Sequence, residues 1–359
     1  MSARAERLKL AVVFGGASTE HVVSVRSARA VLQALDHDRF QPLPLGVTRR
    51  GVWLRPAETA ALLDAMDQGA AECVTGAEGR GLLSRPQVLD ALAAADVVFP
   101  LIHGRGGEDG ALQGLLELAG LPYVGAGVTA SAIGMDKDVL KSLLLRAGLP
   151  VTPYRLVSED AWNADSAAIA RQLTQLTYPL FVKPANGGSS VGIGKVHSRE
   201  ELEPALRDAF HHDRKVLVEQ GVDGREIECG LLGNAEPEAS PLGEIRYGRE
   251  FYDYVAKYED PATELLVPAD VPADIAARVQ AMACAAFQAI GCAGMARVDF
   301  FLASDGEVWV SELNTIPGFT GMSMFPRVWA AAGVPFPALI ERLVDLALER
   351  FEERGHRGA

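Results

Sequence analysis

Residues 295–314, MARVDFFLASDGEVWVSELN, constrain the fold more than any other stretch of this 359-residue chain. Two runs that alternate between apolar and polar residues flank Asp305-Gly306, a pair of residues typical of a tight hairpin turn. The pattern predicts an antiparallel β-hairpin with a two-residue turn, in which Ser304 pairs with Glu307. This turn would fix the register of the two strands.

Counted outward from that turn, two acidic residues face each other across the hairpin. Asp299 lies opposite Glu312, and Arg297 opposite Asn314, with all four side chains on one face of the sheet. Carboxylates about 5 Å apart at Cβ repel unless a cation lies between them. Oxygen ligands of this kind suit Mg²⁺, and a neighbouring arginine would stabilise developing negative charge. The alternative is a solvated acidic edge without a metal.

The rest of the chain alternates apolar strands with helical segments. LKLAVVFGG (8–16) precedes a segment with apolar residues at near-helical spacing, and similar units continue to about residue 125. Later segments read as strands followed by helices. We therefore predict an α/β and α+β fold, with an open parallel N-terminal α/β domain in residues 1–125 and further domains in 126–219 and 220–359.

Composition narrows the classes of ligand. A formal net charge of −13 argues against nonspecific nucleic-acid binding, so local cations or a metal would have to hold any anionic ligand. The N-terminal apolar run is too short to span a bilayer, which predicts no membrane association and a cytoplasmic location. The four cysteines show no C-x-x-C spacing and are expected to be buried, reduced thiols.

A second motif, NGGSSVGIGK (186–195), is rich in glycine and serine and lies between two predicted strands. It matches neither a Walker A loop nor a dinucleotide fingerprint. Together with Lys137 and Lys183, its turn at residues 187–190 would offer ammonium groups, hydroxyls and backbone N–H groups to a polyphosphate. The alternative for each part alone is a solvated lysine or an ordinary turn.

Several motifs occur in an order that resembles the ATP-grasp superfamily and, within it, the D-alanine–D-alanine ligase family. They are FGGASTEHVVS, PLIHGRGGEDG, FVKPANGGSSVGIGKV, VLVEQGVDGREIECGLLG, REFYDYVAKY, ARVDFF and SELNTIPGFTGMS, which extend over about residues 10–350. The resemblance implies that residues 126–359 form a two-domain ATP-grasp fold. It also implies ATP-driven ligation of two D-alanine molecules through a D-alanyl phosphate, in peptidoglycan precursor synthesis.

The same resemblance implies ligands, partners and roles for individual residues. ATP and two Mg²⁺ ions are expected, with Mn²⁺ able to replace Mg²⁺, and a homodimer is expected. Nucleotide binding is implied for Lys137, Lys183, Ser189, Ser190, Glu219, Gln220, Val222, Glu226 and Lys257. Metal binding is implied for Asp299, Glu312 and Asn314. Substrate binding is implied for Glu20, His103, Arg297, Gly318 and Ser323, and a catalytic part for Glu20, Ser189, Tyr258, Arg297 and Gly318.

Other functions remain open on the sequence alone. A D-alanine–D-lactate or D-alanine–D-serine ligase would differ only in what attacks the acyl phosphate. A nicotinamide-dependent dehydrogenase is disfavoured, because GGASTE lacks the third glycine of the fingerprint. A nucleotide-binding protein without catalysis is a third possibility. Glu20 could also be an acid at a helix N-terminus, and His103 could be structural.

Overall fold

The strands of the computed structural model form three sheets within the residues that the structure describes, 7–75, 81–188, 191–248 and 263–357. The strands are β1 (Leu8–Gly15), β2 (Phe40–Val47), β3 (Val97–Pro100), β4 (Tyr154–Ser158), β5 (Leu180–Pro184), β6 (Gly194–Val196), β7 (Lys215–Gln220), β8 (Gly224–Gly233), β9 (Glu238–Arg246), β10 (Glu264–Leu266), β11 (Gly294–Ala303) and β12 (Val308–Asn314). The order is β2-β1-β3 in the first sheet, β4-β7-β5-β6 in the second and β10-β9-β8-β11-β12 in the third.

The helices are α1 (His21–Ala34), α2 (Pro56–Asp67), α3 (Pro86–Ala93), α4 (Ala111–Leu118), α5 (Val128–Met135), α6 (Lys137–Arg146), α7 (Glu159–Ala164), α8 (Ser166–Leu173), α9 (Arg199–Phe210), α10 (Ala273–Ala289), α11 (Met324–Ala331) and α12 (Phe336–Arg357). A short 3-10 helix spans Leu82–Ser84. No helix in the described part of the chain is long and apolar enough to cross a membrane.

The first sheet is parallel, and the other two are built from antiparallel pairs. This confirms the predicted fold class, with an open parallel α/β unit at the N-terminus followed by α+β units. Strand β1 is buried from Leu10 to Gly15 because both faces of its sheet are covered. The domain boundaries at residues 125 and 219 stay predictions.

One hydrophobic core joins the N-terminal sheet to the C-terminal helices. Apolar residues of β1 and α1 share this core with α11, α12 and the loop before α11. Phe319 of that loop is fully buried, and its ring centroid lies 5.5 Å from that of Phe99 on β3 and 5.3 Å from that of Phe336 on α12. Residues from both the N-terminal and the C-terminal part of the chain therefore pack against this loop.

The hairpin of β11 and β12 differs from the prediction at its turn. Ala303 N donates to Glu307 O at 2.9 Å, so the turn contains three residues rather than two, and the predicted pairing of Ser304 with Glu307 is wrong. The cause is Gly306, whose positive φ of 86° completes a three-residue turn. Toward the far end, a β-bulge between the pairs of Asp299 and Phe300 restores the predicted register.

The bulge falls at Ser311 and decides which side chains reach the site. Val308 and Val310 are buried before it and Leu313 is buried after it, so the face that meets the core changes from even to odd residue numbers. Glu312 and Asn314 consequently point away from the core. An uninterrupted β12 would have buried both of them.

Candidate active site

Asp299 and Glu312 are paired across β11 and β12, as predicted, and Arg297 is paired with Asn314. The Arg297 guanidinium donates to both oxygens of Asp299, each at 2.7 Å, and its Nε lies 3.1 Å from Glu228 on β8. Burial would lower the pKa of Arg297, but the charges of Asp299 and Glu228 raise it well above its ordinary value. Arginine therefore already offsets part of the repulsion between these acids.

The residues predicted to bind metal lie close enough together to share one ion. Asn314 Nδ2 is 3.1 Å from Asp299 Oδ2 and 3.5 Å from Glu312 Oε1. Two carboxylates and an amide are hard oxygen donors of the kind that Mg²⁺ takes, with water and phosphate oxygens completing its octahedron. The described residues hold no cluster of three or more His, Cys, Asp or Glu side chains for a metal, so these three residues fit an ion only with such outside ligands.

A buried cluster of two lysines and one glutamate supports the floor of the neighbouring cleft. Glu219 on β7 is 2% exposed, and its Oε2 accepts from Lys183 Nζ at 2.7 Å. Its Oε1 lies 3.2 Å from Nζ of Lys141 on α6. Burial would raise the pKa of Glu219, but Lys141 and Lys183 lower it to about 2. The Glu219 side chain is thus paired with lysines, and its predicted part in nucleotide binding stays a prediction.

Lys141 is not among the residues predicted from the sequence, although α6 contains a local signal for it. The helix begins after Asp136, whose side chain accepts from the backbone N–H groups of residues 138 and 139. From this start, Lys141 falls on the buried stripe beside Leu140 and Leu144. A lysine within an apolar stripe is rarely buried without a partner, and this pattern could have identified it.

Lys137 opens α6 and meets the glycine-rich motif. Its Nζ donates to the Gly187 carbonyl at 2.5 Å. Glu20 lies on the other side of the motif, and a Cβ added to Gly188 would approach Glu20 Oε2 to 3.0 Å. Glycine at this position therefore lets the backbone pass close to the Glu20 carboxylate.

A cleft of about 620 Å³ lies between the second and third sheets. Its walls include predicted nucleotide-binding residues from α6, from both sheets and from the connection between the sheets, namely Lys137, Lys183, Glu219, Gln220, Val222 and Glu226. Glu226 accepts from the Tyr247 hydroxyl at 2.7 Å, and Gln220 Oε1 accepts from Thr177 N at 3.0 Å. The structure therefore brings these residues to one cleft.

A second cavity, of about 310 Å³, lies against the N-terminal domain. All the residues with an implied substrate role line it, namely Glu20, His103, Arg297, Gly318 and Ser323. Ser323 Oγ is 2.8 Å from Thr320 Oγ1, and a Cβ on Gly318 would be 3.2 Å from Ser323 Oγ. Gly318 and Ser323 thus form one small polar corner of the cavity.

His103 is 3% exposed and fixes the loop that carries Gly318. Its Nδ1 lies 3.0 Å from the Ile316 carbonyl, and its Nε2 lies 3.2 Å from Ser27 Oγ on α1. Burial would lower the pKa of His103, but the nearby carboxylate of Glu108 raises it, with a net upward shift. These contacts support a structural part for His103, which also lines the smaller cavity, and its predicted substrate role stays a prediction.

The two cavities share a wall. The residues common to both are Lys137, Gly187, Gly188, Glu228, Arg297 and Glu312. A group bound at one side of this wall would be next to a group bound at the other. Such an arrangement suits transfer of a group between a large ligand and a small polar one.

The predicted residues Ser189, Ser190, Lys257 and Tyr258 lie outside the described residues.

Two family models match the chain. The model described as "D-ala D-ala ligase N-terminus" matches residues 9–126, and the one described as "D-ala D-ala ligase C-terminus" matches residues 143–345. Among curated proteins, a D-alanine–D-alanine ligase of Geobacillus thermodenitrificans is 46% identical, with 97% of each chain covered. A D-alanine–D-alanine ligase A of Chromobacterium violaceum is 48% identical, with 96% of each covered.

Solved structures show the same likeness. The D-alanine–D-alanine ligase from Coxiella burnetii matches with a TM-score of 0.81 and 36% identity, covering 98% of this chain and 97% of that one. The VanG D-Ala:D-Ser ligase from Enterococcus faecalis matches with a TM-score of 0.80 and 35% identity, covering 95% of this chain and 100% of that one. The likeness therefore extends over nearly the whole fold.

Proposed function

Since the chain belongs to the D-alanine–D-alanine ligase family, whose members are ATP-dependent ligases, we propose that it joins two D-alanine molecules to D-alanyl-D-alanine, with cleavage of ATP to ADP and phosphate. The pathway would be peptidoglycan precursor synthesis in the cytoplasm. The observation that carries this proposal is the shared wall of the two cavities, where Arg297, Glu312 and Lys137 face both.

The larger cleft would bind ATP. Lys137 and Lys183 line it and offer two ammonium groups to the phosphates, while the backbone of Gly187 and Gly188 adds unshielded polar groups. Mg²⁺ held by Asp299, Glu312 and Asn314 would neutralise phosphate charge, and we propose two such ions. Ser189, Ser190 and Lys257 are proposed to contact the phosphates as well.

The smaller cavity would bind the amino acids. Glu20 would pair with the ammonium group of the first D-alanine, with Ser189 and Tyr258 in support, and His103 would lie beside it. Ser323 would bind the carboxylate of the second D-alanine. The roles of Glu20, His103 and Ser323 are supported by the position of these three residues in one polar cavity.

The reaction would proceed in two steps. A carboxylate oxygen of the first D-alanine attacks the γ-phosphorus, and ADP leaves. The neutral amine of the second D-alanine attacks the acyl carbon, and the phosphate that leaves takes up the proton that the nitrogen gives up. Arg297 and the Gly318 N–H would stabilise the oxyanion of the tetrahedral centre. A guanidinium has five N–H donors, so pairing with Asp299 leaves others to act.

The proposal is tested by measuring ADP release and, by mass spectrometry, the product formed from ATP, Mg²⁺ and alanine. We expect release with D-alanine, at least about 100-fold slower release with L-alanine, because the misplaced amine loses its near-attack position, and a dipeptide product. ATP binding without D-alanine-dependent ADP release would contradict the proposal. A product made mainly from added D-serine or D-lactate would favour the alternative ligases, the first of which has a structural relative above.

The resemblance also supports two finer proposals. Mn²⁺ would replace Mg²⁺, and the protein would be a homodimer. Activity with Mn²⁺ alone tests the first, and sedimentation velocity tests the second.

A further inference from the structure

Lys141 is a fully buried lysine that does not line the nucleotide cleft in the described part of the chain. Its Nζ donates to Thr152 Oγ1 at 2.8 Å and lies 3.2 Å from Glu219 Oε1. It also lies 5.8 Å from the centroid of the Tyr154 ring. The ammonium group is thus enclosed by one hydroxyl, one ring and one carboxylate that it shares with Lys183.

Packing alone does not explain a charge at this position. The neighbours of Lys141 on the buried stripe of α6 are leucines, and an apolar residue of similar size would fill the same space. A buried ion pair is often no more stable than its apolar replacement. The charge therefore has another consequence, which follows from the number of groups in the cluster.

Lys183 faces the cleft, but its ammonium group already donates a hydrogen bond to Glu219 Oε2 at 2.7 Å. A pair of one lysine and one glutamate has no net charge, so it would attract a polyphosphate only weakly. With Lys141 the cluster has two ammonium groups and one carboxylate, and its net charge is +1. Because the cluster is buried, this charge is poorly screened by water.

We propose that Lys141 is a positioning residue for nucleotide binding: it forms an ion pair with the second oxygen of Glu219 and supplies the charge that leaves Lys183 able to attract phosphate. This inference rests on the proposed function only in that the cleft binds nucleotide phosphates. Lys141 itself touches no ligand.

The pKa values of Lys141 and Lys183 shift in the directions expected if the two lysines share the Glu219 carboxylate. Burial lowers the pKa of Lys141, which Glu219 offsets only in part. Burial also acts to lower the pKa of Lys183, but Glu219 raises it with a net upward shift. Both lysines are thus under the influence of the same Glu219 carboxylate, and Lys183 is the one that reaches the cleft.

The test compares three variants with the wild type by calorimetric titration with MgADP and, separately, with adenosine. Lys141→Met removes the charge and keeps the length, so the cluster becomes neutral. Glu219→Gln raises its charge to +2, and the double variant returns it to +1. We expect Lys141→Met to weaken MgADP binding about tenfold and the double variant to lie within about threefold of the wild type.

Adenosine separates electrostatics from a damaged cleft, because it lacks phosphate. Its affinity should change by less than about twofold in Lys141→Met if only phosphate attraction is affected, and for the two Glu219 variants, whose side chain lines the cleft, the ratio of MgADP to adenosine affinity is compared instead. Unchanged MgADP affinity in Lys141→Met, or equal losses of MgADP and adenosine affinity, would overturn the inference. A double variant weaker than Lys141→Met would also overturn it.

Steady-state kinetics gives a second measurement. Lys141→Met should raise KM for ATP more than it lowers kcat, because the residue acts through phosphate binding. Thermal unfolding checks that the variants fold, and the double variant provides the folded comparison if unpaired charge destabilises a single one. Wild-type protein that binds MgADP without ligating D-alanine would refute the proposed function and leave this inference standing, whereas failure to bind MgADP would refute both.

Discussion

Asp299 is held through both carboxylate oxygens by Arg297 and receives a further hydrogen bond from Asn314. Removing one partner of a buried ion pair leaves a charge without full compensation. We expect Asp299→Asn to lower the free energy of unfolding by about 2 kcal/mol, below the roughly 3–5 kcal/mol typical of such pairs, because asparagine keeps an acceptor and Glu228 remains. Urea denaturation measures this.

Glu312→Gln is the matched comparison, since Glu312 faces Asp299 across the hairpin but is not the acid that Arg297 binds at both oxygens. The Glu312→Gln substitution should lower the free energy of unfolding by less than about 0.5 kcal/mol. Both variants should need much higher Mg²⁺ for activity. Equal losses of stability would show that Arg297 does not select Asp299.

For single residues, the kind of chemistry that a side chain can perform is easier to predict from the sequence than the partner that it contacts. Asp299, Glu312 and Asn314 could be selected because a turn and a period of two place them together. The apolar stripe of α6 marks Lys141 as a buried lysine, but its partner could not be predicted, because Glu219 is 78 residues away on β7 and only the assembled sheet brings the two together. The contact of Lys183 with Glu219 has the same long-range origin.

At the level of the element, the bulge at Ser311 turns Glu312 and Asn314 out of the core. Deleting Ser311 should return these polar side chains to the buried face of β12. We expect the deletion to abolish ADP release and to destabilise the fold by at least about 3 kcal/mol, because two polar groups lose water. Activity assays and urea denaturation measure the two effects.

The control is Gly306→Ala at the other irregularity of the same hairpin. Gly306 has a φ of 86° and open space around it, so alanine meets only backbone strain. It should cost about 1 kcal/mol and leave kcat unchanged. A deletion of Ser311 that retained activity would show that the bulge does not position the acids.

The hairpin also shows what a local pattern can determine. Its existence, its direction and the facing of Asp299 and Glu312 follow from the sequence and are confirmed. The predicted turn length is wrong, because Asp-Gly occurs both in two-residue turns and at the end of three-residue turns. The three-residue turn and the bulge at Ser311 shift the pairing of the two strands in opposite directions. The predicted register is therefore correct at Asp299 and Glu312 and wrong next to the turn.

At the scale of the whole molecule, Phe319 joins the N-terminal sheet to the C-terminal helices. We expect Phe319→Ala to lower the free energy of unfolding by about 3–5 kcal/mol, because it empties a closed part of the core. It should also raise KM for D-alanine, since the neighbouring Gly318 lines the substrate cavity. MgADP affinity should stay within about twofold, because Phe319 does not line the cleft in the described residues.

Phe351→Ala is the control for this prediction. Phe351 is 42% exposed on α12, and its removal should lower the free energy of unfolding by about 1–2 kcal/mol, less than the loss in Phe319→Ala. Chemical denaturation, D-alanine kinetics and calorimetry with MgADP give the three measurements. Equal losses of D-alanine and MgADP affinity in Phe319→Ala would show that the core does not act on the substrate cavity selectively.

The bond between Lys137 Nζ and the Gly187 carbonyl has a consequence for the order of events. A phosphate oxygen and this main-chain oxygen compete for the same ammonium group, and a doubly charged oxygen group is the stronger acceptor. Binding of the triphosphate would therefore displace the Gly187 carbonyl from the Lys137 ammonium group. The backbone beside Glu20 could then adopt a different conformation. Nucleotide loading and the final shape of the amino-acid chamber would then be one coupled event, with Lys137 as the group that exchanges partners.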